Sequence, residues 1–389
     1  MKVLVTSTPG KGHLGILLPL MAALRAAGHQ LLTVTAAESC ESVRGAGFDV
    51  REGGLSSDDR RASFETRMPE AMALPPRRRR GLFFAGFFAD GAAPVMRQAL
   101  LPVFDEFRPD VVVSERGELA ATPIAAARGI PHAVVAFSGA LPDWSDELVI
   151  DSIAPVWAAE GLARPTMAQL NGDVYLHPFP PAFGQSPASG TVRPMRATPA
   201  PDPAATAPDW LDALGRTRPL IYLTGGTEPA AARAPWQAAM EALGGLDVDV
   251  VATIGTRVDP SLLGEIPPNV RVERFVPQHF VFERASLSMS HAGAGSLLGA
   301  AGSGLPHVLF PSFADQWENA DAASSAEVAV TLEVDQRSSE AIHAAVSGVL
   351  REESFKDTAS RVAEEIAAMP SPHDHVATIE ALSIAGPSG

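Results

Sequence analysis

Short apolar strands alternate with helices along the chain, and this alternation restricts the possible folds more than any other feature of the sequence. Met1 to Thr6 is predicted to be a buried strand, His13 to Ala27 a helix, and Leu31 to Thr35 a second strand. Parallel strands need a crossover connection between them, so this opening predicts a parallel sheet. The strands PDVVVS and IPHAVVAF, with helices around them, continue the series. The N-terminal half is therefore expected to be a doubly wound α/β domain.

A proline-rich segment separates this series from a second one. Between Pro178 and Pro208 the periodicity is lost and proline recurs, as is typical of a connection between domains. A new strand–helix series begins at PLIYLTGG and runs to the amphipathic helices near the end. The sequence thus predicts an N-terminal domain of residues 1–205, a C-terminal domain of residues 206–370 and a terminal helix within residues 371–389. Residues 54–92 are less regular, and we expect an insertion without regular structure there.

Composition and charge exclude several classes of protein. The formal net charge of −15 argues against nucleic acid as the main partner. The single cysteine, Cys40, excludes a disulfide framework or a cysteine zinc site and fits a reducing cytoplasm. No apolar run reaches the roughly 18 residues of a membrane-spanning helix, and the first strand runs directly into the fold, unlike a signal peptide. We therefore expect a cytoplasmic protein with no nucleic-acid or membrane partner.

Residues 290–316 combine a strand end, a tight turn, a helix, a second strand and a polar loop. The turn is filled with small residues, and the helix is predicted from Leu297 to Ser303. Free backbone N–H groups and the positive end of the helix dipole suit a phosphate at such a turn. His291 would add a donor from the strand end. Asp315 and Gln316 follow the next strand and would lie on the same rim, because ligands bind at the carboxyl ends of parallel strands.

A second glycine-rich loop follows the first strand and allows two interpretations. Gly10-Lys11-Gly12-His13-Leu14-Gly15 satisfies G-x-G-x-x-G, and Glu38 lies where a dinucleotide fold places its ribose-binding acid. An NAD(P)- or flavin-dependent oxidoreductase is therefore one alternative, although it leaves the turn of residues 291–296 without a role. In the other interpretation, His13 at the tip of the loop is a general base. A neutral imidazole can take the proton of a hydroxyl group as that group attacks.

Residues 291–316 resemble the donor-binding signature of the GT-B glycosyltransferases, and are most similar to the bacterial branch that decorates antibiotics and other natural products. The matching residues are His291, Gly293, Gly295, Ser296, Pro306, Asp315 and Gln316. The resemblance extends over essentially the whole chain. Three residues depart from the family pattern. Ser290 stands where a second histidine is usual, Ala292 where glycine is usual, and His307 where glutamine is usual.

The resemblance implies both an architecture and a reaction. It implies two Rossmann-like, doubly wound domains facing each other across a cleft, with the C-terminal helix packing back on the N-terminal domain. It also implies an inverting transfer of a sugar, often a deoxysugar, from a dTDP- or UDP-sugar to a hydrophobic aglycone. The nucleotide sugar is then a co-substrate, no metal or other cofactor is expected, and a homodimer is left open. A non-catalytic protein that binds sugar nucleotides is a third alternative.

The resemblance also assigns roles to particular residues. His13 is the expected base, and Glu115, just past the strand of PDVVVS, is expected to orient it. Phe275 would stack on the nucleotide base, and the backbone of Val276 would pair with it. The expected donor site consists of Gly12, Thr224, Gly226, Thr227, Phe275, Val276, Gln278, His291, Gly293, Ala294, Gly295, Ser296, Asp315 and Gln316. The expected acceptor pocket consists of Phe83, Phe84, Phe87, Ser138 and Trp144.

Overall fold

The chain forms two units, each built on its own parallel sheet. The computed structural model describes residues 1–67, 74, 75, 77, 79–184, 189–198, 205–226 and 229–385. The first unit takes the described residues of 1–178 together with 189–198 and 370–385. The second unit takes residues 179–184 and the described part of 205–369. The short segment 179–184 therefore lies outside the boundaries that the sequence suggested.

The first unit contains a seven-stranded parallel sheet. In chain order its strands are β1 (Lys2–Thr6), β2 (Gln30–Thr35), β3 (Val50–Glu52), β4 (Val111–Glu115), β5 (His132–Val135), β6 (Val174–His177) and β7 (Val192–Pro194). Their spatial order is β3-β2-β1-β4-β5-β6-β7, so the winding reverses between β1 and β4. In an open α/β sheet such a reversal leaves a crevice at the carboxyl ends of the two strands, where ligands bind.

The second unit contains a six-stranded parallel sheet of the same kind. Its strands are β8 (Leu220–Thr224), β9 (Asp249–Thr253), β10 (Val270–Glu273), β11 (Leu287–Ser290), β12 (His307–Leu309) and β13 (Ala329–Thr331). Their spatial order is β10-β9-β8-β11-β12-β13. The winding therefore reverses between β8 and β11, and the loops after these two strands lie side by side. The predicted pair of doubly wound α/β domains is confirmed.

Helices connect the strands of both sheets. In chain order they are α1 (Lys11–Ala26), α2 (Ala37–Gly45), α3 (Ser57–Arg67), α4 (Arg80–Phe83), a π-helix (Phe84–Ala92), α5 (Ala93–Phe107), α6 (Ala121–Ala127), α7 (Asp146–Ala158), α8 (Met167–Leu170), α9 (Trp236–Gly244), α10 (Gln278–Phe282), α11 (Ala294–Gly302), α12 (Gln316–Ser325), α13 (Ser339–Arg351), α14 (Glu353–Ala368) and α15 (Val376–Ala385). Short 3₁₀ helices cover Asp143–Ser145, Pro181–Phe183, Asp209–Ala213, Pro229–Arg233, Pro260–Leu263 and Val334–Gln336. In the part of the chain that the structure describes, no helix is long and apolar enough to cross a membrane.

The segment predicted to be irregular, residues 54–92, is mainly helical where it is described. It holds α3, α4 and the π-helix, which runs directly into α5. The π-helix closes i→i+5 hydrogen bonds, so its apolar residues do not recur with the 3.6-residue period that sequence patterns detect. Ring pairs line it, with centroids 4.4 Å apart for Phe83 and Phe87 and 5.0 Å apart for Phe84 and Phe88. The expectation of an insertion without regular structure was wrong.

Helix α1 positions the loop that follows β1. Its apolar residues recur every three or four positions, and Leu17, Leu20 and Leu24 are buried against strand residues such as Val3. The helix begins at Lys11, two residues earlier than predicted. His13 therefore lies in the first helical turn, not at the tip of a loop.

Candidate functional site

His13 and Glu115 are in contact at the carboxyl edge of the first sheet. His13 is the third residue of α1, and Glu115 is the last residue of β4. The two lie at the point where the winding reverses, because β1 and β4 are neighbours. His13 Nδ1 is 3.2 Å from Glu115 Oε1. The glutamate side chain is fully buried, whereas the histidine side chain keeps 16% of its surface exposed. The structure thus brings the two predicted catalytic residues together, with the histidine the more accessible one.

Thr8 is a third member of this group, and the sequence analysis missed it. Its hydroxyl group lies 2.6 Å from Glu115 Oε1 and 3.0 Å from His13 Nδ1. Its backbone N–H donates to the same carboxylate oxygen at 2.9 Å. The other oxygen, Oε2, accepts the N–H of Gly117 at 2.5 Å. The only signal in the sequence was a hydroxyl residue two positions beyond the end of β1, in the loop before the predicted base.

The contacts of Glu115 decide its charge. Burial alone would raise the pKa of the carboxyl group, because it disfavours the charged form. The charge of His13 and the hydrogen bonds from His13 and Thr8 act in the opposite direction and outweigh burial, so the pKa is lowered. Glu115 is therefore an ionised carboxylate at neutral pH. It can hold the imidazole by hydrogen bonding and stabilise a positive charge that forms on it.

Aromatic rings enclose the imidazole of His13. The ring of Phe137 lies 4.0 Å from it, centroid to centroid, and that of Phe88 lies 5.6 Å from it. Phe88 comes from the π-helix and packs so closely on Gly117 that a Cβ there would lie 2.9 Å from its ring. The π-helix thus supplies one wall of the site. Neither phenylalanine was predicted to be part of the site, since both lie among other apolar residues in the sequence.

The predicted acceptor residues differ in what they can offer a ligand. Phe84 and Phe87 are buried in the core of the first unit, which leaves them little free surface. Ser138 is buried as well. Phe83 is partly buried, and Trp144 keeps 55% of its surface exposed. Of the predicted aromatic residues, Phe83 and Trp144 therefore keep accessible surface, as does the unpredicted Phe137.

The phosphate turn predicted in the second unit connects β11 to α11. The helix begins at Ala294, three residues earlier than predicted, with Gly293 at its N-cap. The N–H groups of Ala294, Gly295 and Ser296 precede the first intrahelical hydrogen bond, which Leu297 donates to Gly293. These groups and the helix dipole make the turn a suitable site for an anion.

Ala292 has a left-handed backbone conformation, with φ at 63°. Glycine adopts this conformation without strain, and it is the residue usual at this position in the family that the sequence resembles. Two side chains brace the turn. Ser290 Oγ accepts the N–H of Ala292 at 3.2 Å, and Asn319 Nδ2 donates to its carbonyl oxygen at 3.0 Å. The serine that replaces the usual histidine is thus part of the turn's own hydrogen bonding.

His291 is half-buried, and its ring lies between two glycines. A Cβ on either Gly226 or Gly293 would collide with its ring, so both positions have to lack a side chain. Burial lowers the pKa of His291 to about 4, although a hydrogen bond with the backbone of Thr224 acts against this shift. The imidazole is therefore neutral at pH 7. Its Nδ1 has no hydrogen-bond partner among the residues that the structure describes.

Two other predicted donor residues, Thr224 and Gln278, contact residues at the two ends of this turn. Thr224 ends β8 beside Ser290 of β11. Gln278 begins α10, and its Oε1 accepts the hydroxyl of Ser296 at 3.2 Å. Phe275 is 65% exposed, whereas the side chain of the next residue, Val276, is buried. The ring of Phe275 therefore has accessible surface against which a flat ligand could stack. Thr227 lies outside the described residues, and Gly12 belongs to the first turn of α1 in the first unit.

Asp315 and Gln316 follow β12, and both make hydrogen bonds within the unit. Gln316 Oε1 accepts the N–H groups of Ser312 and Phe313 at 2.8 and 2.9 Å. Asp315 Oδ2 accepts from Asn319 Nδ2 at 2.8 Å. Because Asn319 also bonds to the turn at Ala292, it connects the phosphate turn to the loop that carries Asp315. Asn319 was not predicted, and its spacing from Asp315 is one helical turn.

Glu38, the acid that the oxidoreductase interpretation needs to bind a ribose, is hydrogen-bonded to a neighbouring segment of the chain. Its Oε1 accepts the N–H and the hydroxyl of Ser57 at 3.1 and 2.6 Å, at the start of α3. Among the described residues, no group of three or more His, Cys, Asp or Glu side chains is arranged to hold a metal ion.

Comparisons with known proteins agree along almost the whole chain. Residues 237–382 match the family described as Erythromycin biosynthesis protein CIII-like, C-terminal domain. The chain is 32% identical over 381 residues to the L-demethylnoviosyl transferase of Streptomyces niveus, covering 96% of each protein. It is 26% identical over 417 residues to the 3-alpha-mycarosylerythronolide B desosaminyl transferase of Saccharopolyspora erythraea, covering 98% of each.

Solved structures give the same picture at the level of the fold. The glycosyltransferase VinC, crystallised with dTDP, superposes with a TM-score of 0.82 at 23% identity, covering 99% of this chain and 100% of VinC. SsfS6 from Streptomyces sp. SF2575, complexed with thymidine diphosphate, superposes with a TM-score of 0.78 at 26% identity, covering 98% of this chain and 99% of SsfS6.

Proposed function

The chain belongs to the glycosyltransferases of bacterial antibiotic and natural-product biosynthesis, and from this premise we propose that it transfers a deoxysugar from a dTDP-sugar to a hydroxyl group of a hydrophobic aglycone, with inversion. Its GT-B fold and its class as a glycosyltransferase are confirmed. Because the chain is a glycosyltransferase, the alternative of an NAD(P)- or flavin-dependent oxidoreductase is rejected. The contact between His13 and Glu115, with the imidazole accessible and the acid buried, carries the proposed mechanism.

In this mechanism His13 is the general base. It removes the proton of the acceptor hydroxyl while the oxygen forms a bond to the anomeric carbon of the sugar. The bond between that carbon and the diphosphate breaks in the same step, and its electron pair leaves with dTDP. One direct displacement inverts the configuration at the anomeric carbon. Glu115 stabilises the imidazolium that forms, as an aspartate does beside the histidine of serine hydrolases.

The second unit would hold the donor. The exposed ring of Phe275 offers a platform for the nucleobase, since aromatic rings stack on bases of any sequence. The N–H groups of Ala294, Gly295 and Ser296 would receive the diphosphate, beside the ring of His291 that packs on Gly293. Preference for dTDP is supported by VinC and SsfS6, which were crystallised with that nucleotide.

We further propose that the reaction needs no metal ion. Charge develops on the leaving diphosphate, and the N-terminus of α11 provides N–H groups and the positive end of a dipole where the phosphates would bind. These N–H groups and the dipole would stabilise the charge of the leaving diphosphate in place of a bound metal ion. Turnover should then be the same with and without a chelator such as EDTA.

A transfer assay tests the proposal. Purified protein is incubated with a panel of dTDP- and UDP-sugars and aromatic or macrolide acceptors, and products are identified by mass spectrometry and the anomeric configuration by NMR. We expect a glycoside of inverted configuration from a dTDP-sugar. Retention of configuration would contradict the mechanism. Binding of dTDP without turnover of any acceptor would favour a non-catalytic binding protein.

A further inference from the structure

We propose that Thr8 is a positioning residue of the transfer reaction, whose hydroxyl group holds His13 in the tautomer with hydrogen on Nδ1 and a lone pair on Nε2. The inference rests on the proposed role of His13 as the base. It adds to that role by specifying which ring nitrogen takes the acceptor's proton and what keeps that nitrogen unprotonated beforehand.

The hydroxyl of Thr8 has one proton, and its neighbours decide where that proton points. Glu115 Oε1 lies 2.6 Å away and, as an ionised carboxylate, can only accept. The proton of the hydroxyl is therefore directed at Glu115. The oxygen of Thr8 then faces His13 Nδ1, at 3.0 Å, with its lone pairs. A hydrogen bond forms there only if Nδ1 carries the hydrogen.

The second neighbour of Nδ1 leads to the same tautomer. Glu115 Oε1 is 3.2 Å from Nδ1 and is also an acceptor. If Nδ1 carried a lone pair, it would face two acceptors at hydrogen-bond distance and repel both. The tautomer with hydrogen on Nδ1 is therefore favoured by both contacts, and Nε2 is left as the basic nitrogen.

The backbone around Thr8 keeps its hydroxyl group in this position. Its N–H donates to Glu115 Oε1 at 2.9 Å, so backbone and side chain bind the same oxygen. The next residue, Pro9, disfavours the helical conformation at Thr8. The carbonyl of Pro9 accepts from Arg60 at 2.9 Å. Gly10 then turns the chain into α1 with φ at 134°, a conformation that residues with side chains rarely adopt.

The tautomer has a consequence for the reaction. As the acceptor oxygen bonds to the anomeric carbon, its proton moves to Nε2 and the electron pair of the O–H bond forms the new glycosidic bond. The hydrogen on Nδ1 does not move. The resulting imidazolium keeps its hydrogen bonds to Thr8 and Glu115. Without the threonine hydroxyl, part of the population would hold the hydrogen on Nε2 and could not accept a proton there.

Nitrogen NMR of ¹⁵N-histidine-labelled protein tests the tautomer without any acceptor. The signals of His13 are those lost in His13→Gln, and spectra are recorded above neutral pH. In the wild type we expect Nδ1 to have the ¹⁵N chemical shift of a protonated ring nitrogen and Nε2 to have that of an unprotonated ring nitrogen. Thr8→Val should move both shifts toward an average, whereas Thr8→Ser should keep them. A wild type with hydrogen on Nε2, or a Thr8→Val protein with unchanged shifts, would overturn the proposal.

Kinetics supply a second readout once an acceptor is known. Thr8→Val should lower kcat by roughly 10-fold, less than the ~10²–10⁴-fold that a general base contributes, and leave KM for the donor unchanged. Thr8→Ser should recover most of the rate. Thr33→Val is the matched control, because it removes a fully buried hydroxyl from β2 that has no described hydrogen-bond partner.

A wild type that turns over no acceptor would count against the proposed function, while the NMR result would still decide the tautomer. A loss of donor binding in Thr8→Val with an unchanged kcat would contradict a positioning role.

Discussion

At the scale of single residues, His13 should be needed for turnover but not for donor binding. It is a partly exposed side chain of the first unit, whereas the expected phosphate and base contacts lie in the second. His13→Ala should lower kcat by about 10²–10⁴-fold and leave dTDP affinity and the fold unchanged. Glu115→Gln should cause a smaller loss.

Steady-state kinetics and calorimetric titration with dTDP check this prediction. His373→Ala, which alters an exposed histidine in the same unit, is the control and should behave like the wild type. Near-normal turnover of a neutral alcohol by His13→Ala would mean that the imidazole is only a structural part of the first helical turn.

Glu118 should make stability depend on pH. Burial is the main cause that raises the pKa of this carboxyl to about 7, and the charge of Glu115 adds to it. Hydrogen bonds from Thr6, at 2.5 Å, and from Ala120 oppose the shift. The folded state thus binds the proton more tightly than the unfolded chain does. The protonated Glu118 therefore contributes its full stabilisation below the unfolded pKa near 4.5. As the pH rises from there toward 7, the free energy of unfolding falls by about 3 kcal/mol.

Urea unfolding of wild type and Glu118→Gln at pH 5 and pH 8 measures this contribution. The free energy of unfolding of the wild type should fall more between the two pH values than that of the variant, which has no carboxyl group to ionise at this position. Parallel pH profiles for the two proteins would show that Glu118 is not the group responsible.

At the scale of elements, the contribution of α15 to the first unit can be measured within the helix itself. Ile379 is fully buried in a cluster that includes Val3 and Leu24, whereas Ile384 is 86% exposed. Ile379→Ala should lower the free energy of unfolding by about 2–5 kcal/mol through lost burial and the cavity left behind. Ile384→Ala should change it by less than about 0.5 kcal/mol. Equal effects in chemical denaturation would mean that α15 does not pack as described.

The elements also show how much could be predicted from sequence. Strands such as β1, β4 and β8 were predictable because buried parallel strands are short apolar runs bounded by turns. The pairing of His13 with Glu115 was expected from the family resemblance. The structure gives its physical basis, because His13 follows β1, Glu115 ends β4, and these two strands are neighbours. The π-helix was not predictable, because its period is not that of an α-helix. Thr8 and Asn319 were missed because only side-chain geometry distinguishes them from ordinary loop and helix residues.

At the scale of the whole molecule, nucleotide binding should stabilise the native protein. A ligand that binds only the native state adds RT ln(1 + [L]/Kd), which is about 2.7 kcal/mol at a 100-fold excess over Kd. Thermal unfolding should therefore shift to higher temperature with dTDP, while NAD and FAD should cause no shift. His291→Ala should reduce the effect of dTDP, because it removes the imidazole ring that packs on Gly293 of the phosphate turn. Saturable stabilisation by NAD but not by dTDP would contradict the assigned donor.

The first unit is assembled from stretches that are far apart along the chain. Residues 370–385 complete its packing, and the whole of 205–369 is translated before them. The second unit is nearly continuous apart from residues 179–184. On the ribosome, the apolar surface that α15 covers on α1 and β4 therefore stays open until this helix has left the exit tunnel. The packing of the N-terminal unit, although most of this unit is synthesised first, is thus completed only after the second unit has been made.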